Sequence, residues 1–174
     1  MTKQPITDPR LDIAHQAANN RDFARAEQLL HDVLSQLPTE IHSVEPSERE
    51  TCLLALDLLG FVLFFQGRPE EAEQACRRAI AVAPDRAYSN KGLGLCLAKQ
   101  GKVDEGLPYL RRAIALQPEW LDPRWDMAIV LHEAQRFEEA LAVLVEAECA
   151  LPAERMRFVQ LRQVVADAMG QRQA

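Results

Sequence analysis

The chain has 174 residues, 20 Lys and Arg against 26 Asp and Glu, and a formal charge of −6 with a pI near 5.3. Only four of the basic residues are lysines (Lys3, Lys91, Lys99, Lys102) and the arginines are scattered, which excludes a nucleic-acid surface built on clustered positive charge. No apolar run reaches the roughly 18 residues of a membrane span, and no charged-then-apolar leader opens the chain, so a cytoplasmic protein without membrane insertion is expected.

Residues 1–7 lack periodicity and read as a frayed arm. Asp8-Pro9 then supplies a helix start, an N-cap carboxylate followed by proline at the first helical position. Leu11, Ala14, Ala17 and Ala18 form its apolar face, and Asn19-Asn20 ends it. A second helix is expected from Phe23 to Leu37, stopped by Pro38. Residues 39–46 read as a loop, after which Ser47 and Glu50 match a capping box and predict a helix from about Glu48 to Gln66. Between Cys52 and Phe65 its only polar residue is Asp57, and a helix apolar on all sides must be covered on all sides or expose an interaction surface. Gly67 turns the chain and Pro69 opens the next helix. Helices follow over 87–100 and 103–117, the latter with Pro108 near its start, where a proline removes little hydrogen bonding. Asp122-Pro123 repeats the device of Asp8-Pro9, a further helix runs from Glu138 to Leu151, and residues 153–169 carry an amphipathic pattern ended by Gly170. Cys52, Cys76, Cys96 and Cys149 have no CxxC spacing and fall at or near helical packing positions, so they read as small buried side chains in a reducing compartment, not as metal ligands or disulfides.

A period runs through these helices. Pro84, Pro118 and Pro152 stand 34 residues apart (118 − 84 and 152 − 118), and the same offsets align Leu59, Leu93 and Met127, then Ala72, Gly106 and Ala140, then Ala79, Ala113 and Ala147. A 34-residue helix-turn-helix unit with small residues at these offsets resembles the tetratricopeptide repeat (TPR) family. That resemblance implies an all-α solenoid, a right-handed superhelix in which the first helix of each repeat lines a concave groove. It divides the chain into an irregular repeat at 7–38, an insertion at 39–52, repeats at 53–86, 87–120 and 121–152, and a capping helix at 153–170. Leu56, Asn90 and Arg124 depart from the family at its Trp slot, and Ala128 and Gln135 replace two glycines. At Gly106, where neighbouring repeats carry alanine, Gly106→Ala is expected to stabilise the protein, since glycine inside a helix costs about 0.8–1 kcal/mol relative to alanine.

In the family's geometry the groove-facing positions are Leu54, Asp57, Phe61, Phe64 and Phe65 of the second repeat, Tyr88, Lys91, Leu95, Ala98 and Lys99 of the third, and Asp122, Trp125, Ile129, His132 and Glu133 of the fourth. Of these, Asp57, Phe61, Phe64, Tyr88, Lys91, Leu95, Lys99, Trp125, Ile129 and His132 are the candidate partner contacts. The resemblance thus implies a peptide or helix of a partner protein laid against aromatic anchors, the mode of an adaptor or chaperone. The segment Gly92-Leu93-Gly94-Leu95-Cys96 is similar to small bacterial TPR chaperones that hold secreted substrates, so a secreted or assembly substrate is one class of partner. Two readings stand for Phe61, Phe64 and Phe65: a groove wall, or burial under the first repeat or the insertion. Trp125 and Tyr88 are expected to face each other across the groove, since repeat packing needs neither. Lys91 fits one slot of the family's carboxylate clamp, but Leu95 and Asp126 do not continue it; Lys91 and Lys99 either favour an acidic ligand stretch or are simply solvated. The alternative function is a structural scaffold that forms a homo-oligomer through the apolar helix 52–66. No catalytic constellation, metal site or cofactor is expected: His132-Glu133 begins HExxH, yet Arg136 stands where the second histidine belongs.

Overall fold

The computed structural model describes residues 8–37 and 45–173. The expected arm at 1–7, the stop at Pro38 and the loop positions 39–44 lie outside the described residues. The described elements are helices: α1 (Pro9–Asn19), α2 (Phe23–Ser35), α3 (Pro46–Phe65), α4 (Pro69–Val82), α5 (Ala87–Lys99), α6 (Val103–Leu116), α7 (Asp122–Glu133), α8 (Phe137–Ala150), a 3-10 turn (Pro152–Glu154) and α9 (Arg155–Gln173).

Local chemistry explains most of the boundaries. Asp8 accepts a hydrogen bond from the Arg10 backbone N–H at 2.9 Å, and Pro9 occupies the first position of α1. The capping box at Ser47 and Glu50 does not form. α3 begins two residues earlier than expected, at Pro46, whose ring presets φ for a first helical turn. Ser47 is then already inside the helix, where its carbonyl accepts from Thr51 Oγ1, and Glu50 pairs with Arg86 instead. Asp122 likewise does not cap α7; its carboxylate lies 3.8 Å from Lys91 Nζ. α9 continues past Gly170. Each turn inside a helix pair holds one residue in the left-handed region: Arg21 (φ 61°), Gly67 (77°), Gly101 (80°) and Gln135 (59°).

Each helix packs on the next, and α1–α3, α3–α5 and α5–α7 also touch, so the first helices of successive pairs stand side by side as an inner layer. This is an all-α helical-repeat solenoid. Ala72 and Ala140 are wholly buried at their crossings, and at Gly106 the backbones come closer still: a Cβ there would lie 2.6 Å from the Gly94 carbonyl oxygen. Two residues in the family's Trp slot take over a polar task. Asn90 Nδ2 donates to the Pro84 carbonyl at 3.0 Å, and Arg124 Nη1 donates to the Pro118 carbonyl, the same six residues back.

The apolar interior falls into two clusters. One gathers buried residues of α1 to α5, among them Leu30, Leu56, Val62 and Leu93. The other gathers α6 to α9, with Leu110, Leu131, Leu144 and Phe158. Phe158, Leu161 and Val165 of α9 are buried in the second cluster, so α9 covers the flank of the last pair. Cys52, Cys76 and Cys96 are buried, as their positions suggest, whereas Cys149 is exposed.

Candidate functional site

The inner layer encloses a cleft of about 810 Å³ between α3, α5 and α7. α3 contributes Asp57, Phe61, Phe64 and Phe65; α5 contributes Tyr88, Lys91, Leu95 and Lys99; α7 contributes Asp122, Asp126, Ile129 and Glu133. A second hollow of about 430 Å³ continues it toward α1, sharing Asp57, Phe61 and Tyr88. The trough therefore runs from the first helix pair to the fourth.

Eight of the ten candidate partner contacts line this cleft: Asp57, Phe61, Phe64, Tyr88, Lys91, Leu95, Lys99 and Ile129. Trp125 and His132 are not among its lining residues. The face of α7 turned to the cleft is 122, 126, 129 and 133, a stripe at i, i+4, i+7 and i+11. Trp125 instead packs toward the cap, its ring 6.3 Å from Phe158, and His132 sits 5.7 Å from the Phe137 ring. The partner that Tyr88 meets is Trp120, stacked at 6.0 Å and 13°. Trp120 lies in the connection between α6 and α7, where no helical period could single it out; its only sequence signal is an aromatic residue in a short polar linker.

The two readings of the α3 phenylalanines meet in the middle. Phe61 and Phe64 are half-buried against the first core cluster and also wall the cleft, while Phe65 is 56% exposed. Phe65 joins them at 4.6 and 5.6 Å and reaches Phe23 of α2 at 6.4 Å.

Asp57 ties the wall together. It accepts from Ser89 Oγ and from Arg86 Nε, both at 2.5 Å, and Arg86 reaches Glu50 as well. Burial outweighs these partners and pushes the Asp57 carboxyl above the usual aspartate range.

Lys91 is consumed by its neighbours. Its Nζ lies 3.3 Å from Asp126 Oδ2 and 3.8 Å from Asp122 Oδ2, and stands 4.9 Å from the Trp120 ring centroid and 5.6 Å from that of Tyr88. Burial raises the Asp126 carboxyl above its ordinary range, with Lys91 pulling the other way. A lysine so paired is poorly placed to clamp a partner's carboxylate, in keeping with the broken clamp pattern. Among the described residues no cluster of three His, Cys, Asp or Glu is placed to hold a metal, and no helix is long and apolar enough to cross a membrane.

Models of the tetratricopeptide repeat match residues 58–119 and 97–153, together more than half of the chain. No curated protein matches it in sequence. Among solved structures, MamA of AMB-1 is similar over 92% of this chain and 81% of that chain, at 19% identity and a TM-score of 0.62. Another MamA structure matches 94% of this chain and 82% of its own, at 18% identity and a TM-score of 0.67. A Thermobaculum terrenum O-GlcNAc transferase mutant matches 80% of this chain at 24% identity and a TM-score of 0.67, but only 25% of that chain takes part. At these identities the likeness is one of fold.

Proposed function

Because the chain belongs to the tetratricopeptide repeat family, we propose that it is a cytoplasmic adaptor that grips a segment of a partner protein in the cleft between α3, α5 and α7. The family is one of protein-interaction modules. The observation that carries the reading is the cleft itself: three inner helices wall a trough of about 810 Å³ with Phe61, Phe64, Phe65, Tyr88, Leu95 and Ile129. Aromatic and aliphatic anchors in a concave channel are where binding energy concentrates when a helix or extended peptide is laid in. A chaperone holding a secreted or assembly substrate would use the same cleft.

Much of the apolar surface of α3 is taken up in packing within the chain. α1, α2, α4 and α5 all pack on it, and its large exposed side chains, Leu54 and Phe65, open on the trough. A second copy of the chain would thus compete for the same surface. The test compares wild type with Leu95→Arg, which puts a charge on the cleft wall, in partner capture and in light scattering across concentration. A heterologous partner held in stoichiometric amount, and weakened roughly tenfold or more by Leu95→Arg with helicity unchanged, is expected. Capture indifferent to Leu95→Arg would remove the cleft from the interface, and concentration-dependent self-association that this change abolishes would make the protein a scaffold.

A further inference from the structure

The two long walls of the cleft differ in charge. α7 presents Asp122, Asp126 and Glu133 on one stripe with Ile129, and α5 answers with Lys91 and Lys99. Lys91 is shared between Asp122 and Asp126, so two carboxylates face one ammonium and one negative charge is left over. Lys99 has no ion-pair partner among the described residues and stands two turns further along α5, away from this surplus. Asp126 Oδ2 is buried and, although 3.3 Å from Lys91 Nζ, receives no aligned hydrogen bond. Asp126 is nonetheless committed to Lys91, and Asp122, whose carboxylate is 3.8 Å from the same ammonium, keeps acceptor capacity for a donor brought by a ligand. Beside it the parallel rings of Tyr88 and Trp120 already hold one cation over their faces. Tyr88 is 38% exposed and the Asp122 side chain 55%, so both can be reached from outside.

We propose that this corner of the cleft is a cation subsite that takes a basic side chain of the bound segment, an arginine in preference to a lysine, against Asp122 and Asp126 and beside the Tyr88–Trp120 ring pair. The inference rests on the cleft being the binding surface and adds the chemistry of what it binds. Arginine is favoured because its planar fork can donate to both oxygens of the exposed Asp122 carboxylate while its face lies on an aromatic ring, whereas a second ammonium would sit as a point charge close to that of Lys91. An acidic segment would meet three carboxylates along α7. The partner segment is therefore apolar along the phenylalanine wall and basic where it crosses α7.

A random peptide library displayed on phage, panned on the full chain, tests this without knowledge of the natural partner. The recovered peptides are expected to combine apolar residues with at least one arginine. Synthetic consensus peptide should lose roughly tenfold or more in affinity to the Asp122→Asn, Asp126→Asn double variant, and its arginine-to-norleucine version should bind wild type and double variant alike. Peptides without a basic residue, or an arginine peptide indifferent to the double variant yet displaced by Leu95→Arg, would overturn the subsite and leave the cleft reading standing. Peptides indifferent to Leu95→Arg, or none recovered, would overturn both. Circular dichroism of each variant confirms that the helices persist.

Discussion

At Gly106 a methyl group would stand 2.6 Å from the Gly94 carbonyl oxygen, a backbone atom that can move only if α5 and α6 part. The helix propensity gained by alanine, about 1 kcal/mol, is outweighed by this overlap, which typically costs about 1–3 kcal/mol. Gly106→Ala is therefore expected to lower stability, against the expectation from sequence, and a melting temperature at or above that of wild type would show that the two helices separate without cost. Asp126 yields a prediction in pH. Its carboxyl is raised in the folded chain, chiefly by burial, so the folded state holds the proton more tightly than the unfolded one. That contribution is intact below the unfolded value of about 3.9 and is lost as pH rises through the folded value. Asp126→Asn should then stabilise the protein at neutral pH, with the gain shrinking as pH falls toward 4. Urea denaturation of both proteins across pH measures the difference, which removes the opposite trend of carboxylates such as Asp8 and Glu73, held low by Arg10 and by Gln100 and Arg77. A gain that grows in acid would mean that Lys91 dominates over burial.

Among the elements, α7 meets α9 through an aromatic pair. Trp125 is half-buried against the second core cluster and faces Phe158, which is wholly buried. Phe158→Ala is expected to cost about 3–5 kcal/mol, and Trp125→Ala about 3, the low end for a large aromatic. A Trp125→Ala protein that melts like wild type but fails to capture its partner would return this residue to the groove. The repeating prolines, the small residues at crossings and the amphipathic cap made the solenoid legible in the sequence, because each is a local requirement repeated at a fixed interval. The phase of α7 was legible only in part: Asp122, Ile129 and Glu133 line the cleft as expected, but Asp126 stands there in place of Trp125 and His132. Residues 122, 126, 129 and 133 and the expected 122, 125, 129, 132 and 133 overlap on one side of the helix, and Trp125 turns from the cleft to meet Phe158 of α9 while His132 lies against Phe137. Trp120 escaped for a different reason, since a connection has no period to betray it. At Ser47 and Pro46 two valid start signals stand side by side, and the proline's fixed φ prevails.

On the scale of the whole molecule, the two core clusters meet at the pair α5 and α6, the former counted with α1–α4 and the latter with α7–α9. The seam lies inside a repeat, where Gly94 and Gly106 bring backbone against backbone. Buried amides should therefore exchange with solvent in two groups, α1–α5 and α6–α9, each with its own opening free energy. Native-state hydrogen exchange in rising denaturant checks this, and one common isotherm for all nine helices among the described residues would refute it. The cleft, however, takes α3 and α5 from one group and α7 from the other. A segment lying in it bridges the seam and adds its binding free energy to the contact between halves. Encoded as two polypeptides parted between Gly101 and Lys102, the protein would then reassemble more readily in the presence of its partner than alone, and so report that partner's arrival.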